Sequence, residues 1–136
     1  MPARSKARKR ALDILFEAEV RGEPVLGLLE QRIIAASPPV SEYAMELVRG
    51  VQAHRERIDE LLAEHAEGWT LDRMPVVDRN VLRIGLYELL WADDVPDAVA
   101  ISEAVLLARD LSTDASPAFV NGLLGRLLEL KPTLTV

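Results

Sequence analysis

His54 and His65 are the only imidazoles in the chain, and it has no cysteine. Metal binding or nucleophilic catalysis would have to be assembled from these two residues and from carboxylates. The helical periodicity around them puts both on one helix, eleven residues apart. They would share a face yet lie about 16 Å from each other at 1.5 Å per residue, so they cannot share one metal ion. Each is expected at a surface or a helix end. None of the 22 acidic residues stands in a metal or nucleophile motif, and neither a phosphate-cradling glycine loop nor a dinucleotide fingerprint occurs. No catalytic residue, metal ligand or cofactor site is read from the sequence, and a non-enzymatic protein is expected.

Phosphate binding is the chemistry the chain is best equipped for. Arg4, Lys6, Arg8, Lys9 and Arg10 fall within the first ten residues with no acid among them, in a chain of net charge −6. The other 126 residues therefore hold eleven basic and 22 acidic side chains. A cationic head on an acidic body offers one surface to phosphates and another to a basic partner. The alternative is a frayed terminus that only aids solubility. Ser102 to Leu130 superficially resembles a helix-turn-helix, with Ala104, Ala108 and Leu111 before a break. Its would-be recognition helix carries one cation, Arg126, too few donors for a reader of the major groove.

The elements that must carry these groups are helical, since apolar residues recur at three and four and strand patterns are nearly absent. At 49% hydrophobic and 28% charged, 136 residues are read as a single domain, residues 1–136, able to bury about two thirds of its surface. The first helix is expected over residues 5–21, with Ala7, Ala11, Ile14, Leu15 and Ala18 on one stripe and Gly22 at its end. Pro24 opens a second, closed by Ser37-Pro38-Pro39. Ser41 caps a long third helix to about Ala66, with Gly68 as its stop. Pro75 starts a fourth, to about Ala92, that is apolar nearly all round and belongs in the middle of a bundle. It could be covered within the monomer or by a second copy in a homodimer. A fifth helix spans residues 98–111, and Ser116-Pro117 open a sixth that ends before Pro132.

Individual residues stand out against this frame. Glu88 falls among Val77, Val81 and Ile84, where a carboxylate needs hydrogen bonds or a cation to offset its desolvation. A structural role is expected, such as meeting free N–H groups of a helix end. Arg79 and Arg83 share a flank and read as a solvated edge. Most of the six aromatic residues are expected in the core. No uncharged apolar run approaches the roughly 18 residues of a membrane span, and Asp13, Glu17 and Glu19 interrupt any signal-peptide core. A soluble cytoplasmic protein without membrane contact is expected.

Four segments in order resemble the NusB family. They are Arg4-Ser5-Lys6-Ala7-Arg8-Lys9-Arg10-Ala11-Leu12, the run from Asp78 to Leu89, Val95-Pro96 with Val99 to Ala104, and Phe119-Val120-Asn121-Gly122-Leu123-Leu124. The resemblance implies an all-α bundle of about six to seven helices in two packed sub-bundles. It also implies transcription antitermination on ribosomal RNA operons, with single-stranded boxA-type RNA bound jointly with the ribosomal protein NusE. RNA polymerase and the other Nus factors of the elongation complex are the implied wider partners. Carried over by position, Arg4, Lys6, Arg8, Lys9 and Arg10 belong to the arginine-rich start that holds RNA, and Ser116, Phe119 and Asn121 match the motif expected beside it. Ser5 and Phe16 stand where arginine and tyrosine are frequent, so one phosphate contact and one phenolic hydrogen bond are expected to be missing.

Two features of the residues agree with the resemblance. Single-stranded RNA needs cations for its backbone and planar groups or amides for splayed bases, and the acidic remainder suits a basic ribosomal protein. The NusE contact is assigned to the fourth helix through Asp78, Arg79 and Arg83. The competing class is a helical protein-protein adaptor with an incidental basic head.

Overall fold

The computed structural model describes residues 2–136. Seven α-helices form its architecture among the described residues: α1 (Ala3–Arg21), α2 (Val25–Ala35), α3 (Glu42–Ala53), α4 (Arg55–His65), α5 (Val76–Trp91), α6 (Asp97–Leu111) and α7 (Ser116–Leu130). Single 3-10 turns lie at Leu71–Arg73 and Lys131–Thr133. Helices α1 to α3 pack together as one sub-bundle and α4 to α7 as another, and α5 touches both. The all-α, two-bundle architecture expected from the sequence is the one found.

Helix α5 joins the bundles because its apolar residues leave no polar face. Every residue from Asn80 to Leu89 is buried, and each fully buried Leu or Ile contributes about 1.5–3 kcal/mol. Its apolar sides are thus covered within one copy of the chain, by α1 and α3 on one side and by α4, α6 and α7 on the other. Gly85 permits close approach of α6 and α7, since a Cβ there would lie 2.8 Å from Leu124 Cδ1 and 3.1 Å from Ala104 Cβ. Helix α1 buries the expected stripe of Ala7, Ala11, Ile14, Leu15 and Ala18 and ends at Gly22, whose φ of 67° is left-handed. That helix starts at Ala3, two residues earlier than expected, so the whole basic head is helical.

The single long third helix expected after Ser41 is two helices. Ser41 does cap α3, accepting the Ala44 N–H at 3.2 Å. The helix then breaks at His54, whose φ and ψ of −107° and 13° leave the α region. The break coincides with an aromatic anchor, the His54 ring stacked on Trp91 at 4.1 Å and 14°. One turn earlier Gly50 lets α3 close onto Tyr87, where a Cβ would come within 2.3 Å of the ring. With the helix broken, the straight-rod spacing of His54 and His65 no longer applies. His54 sits at a helix junction and His65 at the end of α4.

The aromatic residues are peripheral, not central as expected. Only Tyr87 is buried, while Phe16 and Trp69 are exposed and the rest lie in between. Alanines at helix contacts, among them Ala11, Ala44, Ala100 and Ala108, are fully buried. They bring helix axes close and leave the core to aliphatic side chains.

Candidate functional site

Helix α1 begins with no acid in its first turn and no side-chain cap, yet carries five cations in its first eight residues. The helix dipole disfavours the cations of the first turn, Arg4 and Lys6, by about 0.3–1 kcal/mol each. Acids on neighbouring elements offset this. Arg8 is buried and donates from Nε to Glu88 Oε1 at 2.8 Å and from Nη2 to Oε2 at 2.9 Å. Its Nη1 lies 3.4 Å from Glu103. The Tyr43 hydroxyl also donates to Glu88. Burial, and then the hydrogen bond to Glu88, push the Tyr43 phenol well above its ordinary pKa. Glu88 therefore has the structural role expected of it, with a guanidinium and a phenol as partners in place of a helix end.

Arg8 is consequently removed from the phosphate-binding set, because its donors are used inside the protein. Ser5 faces inward as well and donates to Glu103 at 2.7 Å. Position 5 is an interior one here, so no surface phosphate contact is lost there. Arg4 sits over the Tyr43 ring, 4.3 Å from its centroid, and donates to Asp94 at 2.6 Å. Lys6 and Lys9 are exposed, with Lys9 3.5 Å from Asp13, and Arg10 is partly exposed with one long contact to the Pro38 carbonyl at 3.4 Å. The outward cations are thus Arg4, Lys6, Lys9 and Arg10.

The second cluster lies at the other end of α5. Asp78 is buried and accepts from Ser112 and, at 2.8 Å, from Ser116. Ser116 also accepts the Thr113 N–H at 3.2 Å, closing the turn between α6 and α7. Ser116 is the first residue of α7, with Ala115 at the cap position. Asp78 and Ser116 are both nearly fully buried and are bonded to each other at the floor of the surface beside Phe119. Phe119, one turn on, is partly exposed and meets the exposed Trp69 at 6.4 Å and 56°. Two cavities of 290 Å³ each adjoin Phe119, one bounded also by Trp69, Met74, Pro75, Asp78 and Ser116 and the other by His65, Gly122 and Arg126. Asn121 is exposed, but two residues along a helix place it on a different face from Phe119.

Because Arg8 meets Glu88 and Ser116 meets Asp78, ten residues apart on α5, the basic head and the Phe119 surface are separated by about 15 Å. The two parts expected side by side are at opposite ends of one helix. Trp69 was missed by the sequence reading. Its signal was an isolated tryptophan between a glycine and a short turn.

Arg79 and Arg83 form no solvated edge. Arg83 is buried and binds Asp59 at 2.8 Å and Glu19 at 2.9 Å, and Arg79 bridges Glu19 to the Met74 carbonyl at 2.8 Å. Burial pushes the Glu19 pKa up, but hydrogen bonds from Arg79 and Arg83 outweigh it and hold the carboxylate below its ordinary range. Asp78 and Arg83 are therefore withdrawn from the partner surface, since both are buried and paired. No group of three or more metal-ligating side chains occurs among the described residues.

The family model described as the NusB family matches residues 5–129. This chain belongs to the NusB family. It is 63% identical over 134 residues to the transcription antitermination protein NusB of Thermobifida fusca, covering 98% of this chain and 94% of that one. It is 66% identical over 129 residues to the NusB of Saccharopolyspora erythraea, covering 93% and 87%. Solved NusB structures share the fold. That of T. maritima superposes with a TM-score of 0.82 at 36% identity, covering 95% of this chain and 92% of the other. A chain from a complex of NusB and NusE with double-stranded RNA superposes at 0.80 and 28%, covering 93% and 96%. Membership in NusB, a family of antitermination factors, agrees with the non-enzymatic reading. No helix among the described residues is long and apolar enough to cross a membrane.

Proposed function

We propose that this chain is a transcription antitermination factor that binds a boxA-type single strand of RNA jointly with NusE, within the cytoplasmic elongation complex of RNA polymerase and the other Nus factors. The observation that carries the RNA part is the set of outward cations at the start of α1, Arg4, Lys6, Lys9 and Arg10, where only Arg8 is locked inward. The Phe119 and Trp69 rings, tilted by 56° to each other, each offer a face on which a base can stack. A strand reaching from the head to this pair spans about 15 Å in the direction of the α5 axis, over the elements that cover that helix. The complex of NusB and NusE with double-stranded RNA, one chain of which has this fold, supports NusE and RNA as partners.

With Asp78 and Arg83 inside, NusE is assigned to the α1–α2 face, where Phe16, Val20, Leu26 and Ile34 are exposed. Val20→Glu tests this assignment. It should weaken NusE binding and leave RNA binding unchanged, and unaltered NusE affinity would remove the face from the interface. For RNA, the test is a titration of a boxA-type strand against Phe119→Ala. Binding weakened by about 1–3 kcal/mol, the worth of one base stack, is expected, and wild-type affinity would refute the aromatic contact. The adaptor reading predicts no preference for the boxA-type strand over a scrambled one.

A further inference from the structure

Arg4 differs from the other outward cations because it is built into a cradle. Its guanidinium lies over the Tyr43 ring, 4.3 Å from the centroid, and pairs with Asp94 in the turn between α5 and α6. The ring itself is fixed, since its hydroxyl donates to Glu88 and that carboxylate is clamped by Arg8. Arg4 and Asp94 are half exposed, at 46% and 62%. Their pair is therefore weak and screened, and easily exchanged. Asp94 touches the guanidinium through one Nη2–Oδ2 contact of 2.6 Å, whereas a phosphodiester offers two oxygens to the planar fork.

We infer that Arg4 on the Tyr43 platform is a phosphate subsite of the RNA surface, with Asp94 as a resident carboxylate that the backbone phosphate displaces. This rests on the RNA reading above and assigns roles to two residues, Tyr43 and Asp94, that it leaves unused. Tyr43 is a positioning residue: it holds the guanidinium in place while its charge partner changes. Asp94 sets a threshold, because an anion must compete with it before Arg4 is engaged. The Arg4 hydrogen bond holds the Asp94 carboxyl below its ordinary pKa, so it stays charged as a competitor at neutral pH.

The experiment is a double-mutant cycle on the full chain with a boxA-type single strand, titrated at several salt concentrations. Asp94→Asn should tighten RNA binding about two- to fivefold, the range of an exposed ion pair. Arg4→Ala should lower the log–log salt slope by about 0.7. In the Arg4→Ala background the gain from Asp94→Asn should vanish. An equal gain in both backgrounds would mean general repulsion of RNA by Asp94 and would overturn the exchange. A salt slope untouched by Arg4→Ala would overturn the subsite. Failure of the unmodified chain to bind the strand would overturn the RNA reading and this inference with it.

Discussion

Arg8 meets Glu88 through two parallel N–H···O bonds of 2.8 and 2.9 Å, with both side chains buried between α1 and α5. The same contact does two things. It fixes α1 to the centre of the fold, and it takes one arginine out of the set proposed to bind RNA. Removing one partner leaves an uncompensated buried charge, whereas removing both together can be nearly neutral. Arg8→Ala is therefore expected to lower stability by about 3–5 kcal/mol, and Arg8→Met with Glu88→Leu by far less. Urea unfolding of the three proteins checks this, and a small loss for Arg8→Ala alone would contradict the buried pair.

The exposed cations should behave oppositely. Lys6→Ala, Lys9→Ala and Arg10→Ala are each expected to leave the melting temperature nearly unchanged. Each should reduce the salt slope of single-strand binding by about 0.7. Isothermal titration across salt concentrations gives both affinity and slope. A flat slope in the wild type would deny that phosphates are neutralised at all.

How much of this was legible in the sequence depends on whether a local pattern decides the outcome. Gly22, Ser41 and the all-round apolar α5 were readable because caps and periodicity act within a turn or two. The inward turn of Arg8 was not, because its cause, Glu88, lies eighty residues away. Both halves of that pair were noticed, one as a phosphate ligand and one as a buried carboxylate in need of a cation. Nothing in spacing joins them. The helix break at His54 was hidden for the same reason, since its anchor is Trp91. Asp78 was read as a surface acid, as its position near the start of a helix suggests, but Ser112 and Ser116 close over it.

Stability should depend on pH through Glu19. Its folded pKa lies below the ordinary 4.5, because bonds from Arg79 and Arg83 outweigh burial. A depressed carboxyl contributes stability that is present above the unfolded pKa and is lost as pH falls through the folded one. Glu19→Gln is expected to be less stable than the wild type at neutral pH, with the difference shrinking as pH drops below about 4.5. Denaturant melts of both proteins between neutral and acid pH check it, and a constant difference would contradict the assignment.

Two glycines should respond differently to alanine. At Gly50 the new Cβ meets the Tyr87 ring at 2.3 Å, and at Gly85 it meets the end of the Leu124 side chain at 2.8 Å. The overlap at Gly50 is deeper and involves three atoms of the Tyr87 ring end, whereas at Gly85 the Leu124 methyl is the one atom nearer than 3 Å, with Ala104 Cβ at 3.1 Å. Gly50→Ala is expected to cost about 1–3 kcal/mol by overpacking, and Gly85→Ala clearly less. Thermal unfolding ranks them.

The central claim is joint recognition of a single strand with NusE, and a four-way titration tests it most directly. A boxA-type strand is titrated into this chain with and without NusE, and NusE is titrated with and without the strand. Linkage requires that each ligand tighten the other by the same factor. The account predicts equal tightening above unity, with a scrambled strand binding more weakly. Equal affinity for boxA-type and scrambled strands, or no effect of NusE on RNA binding, would contradict it.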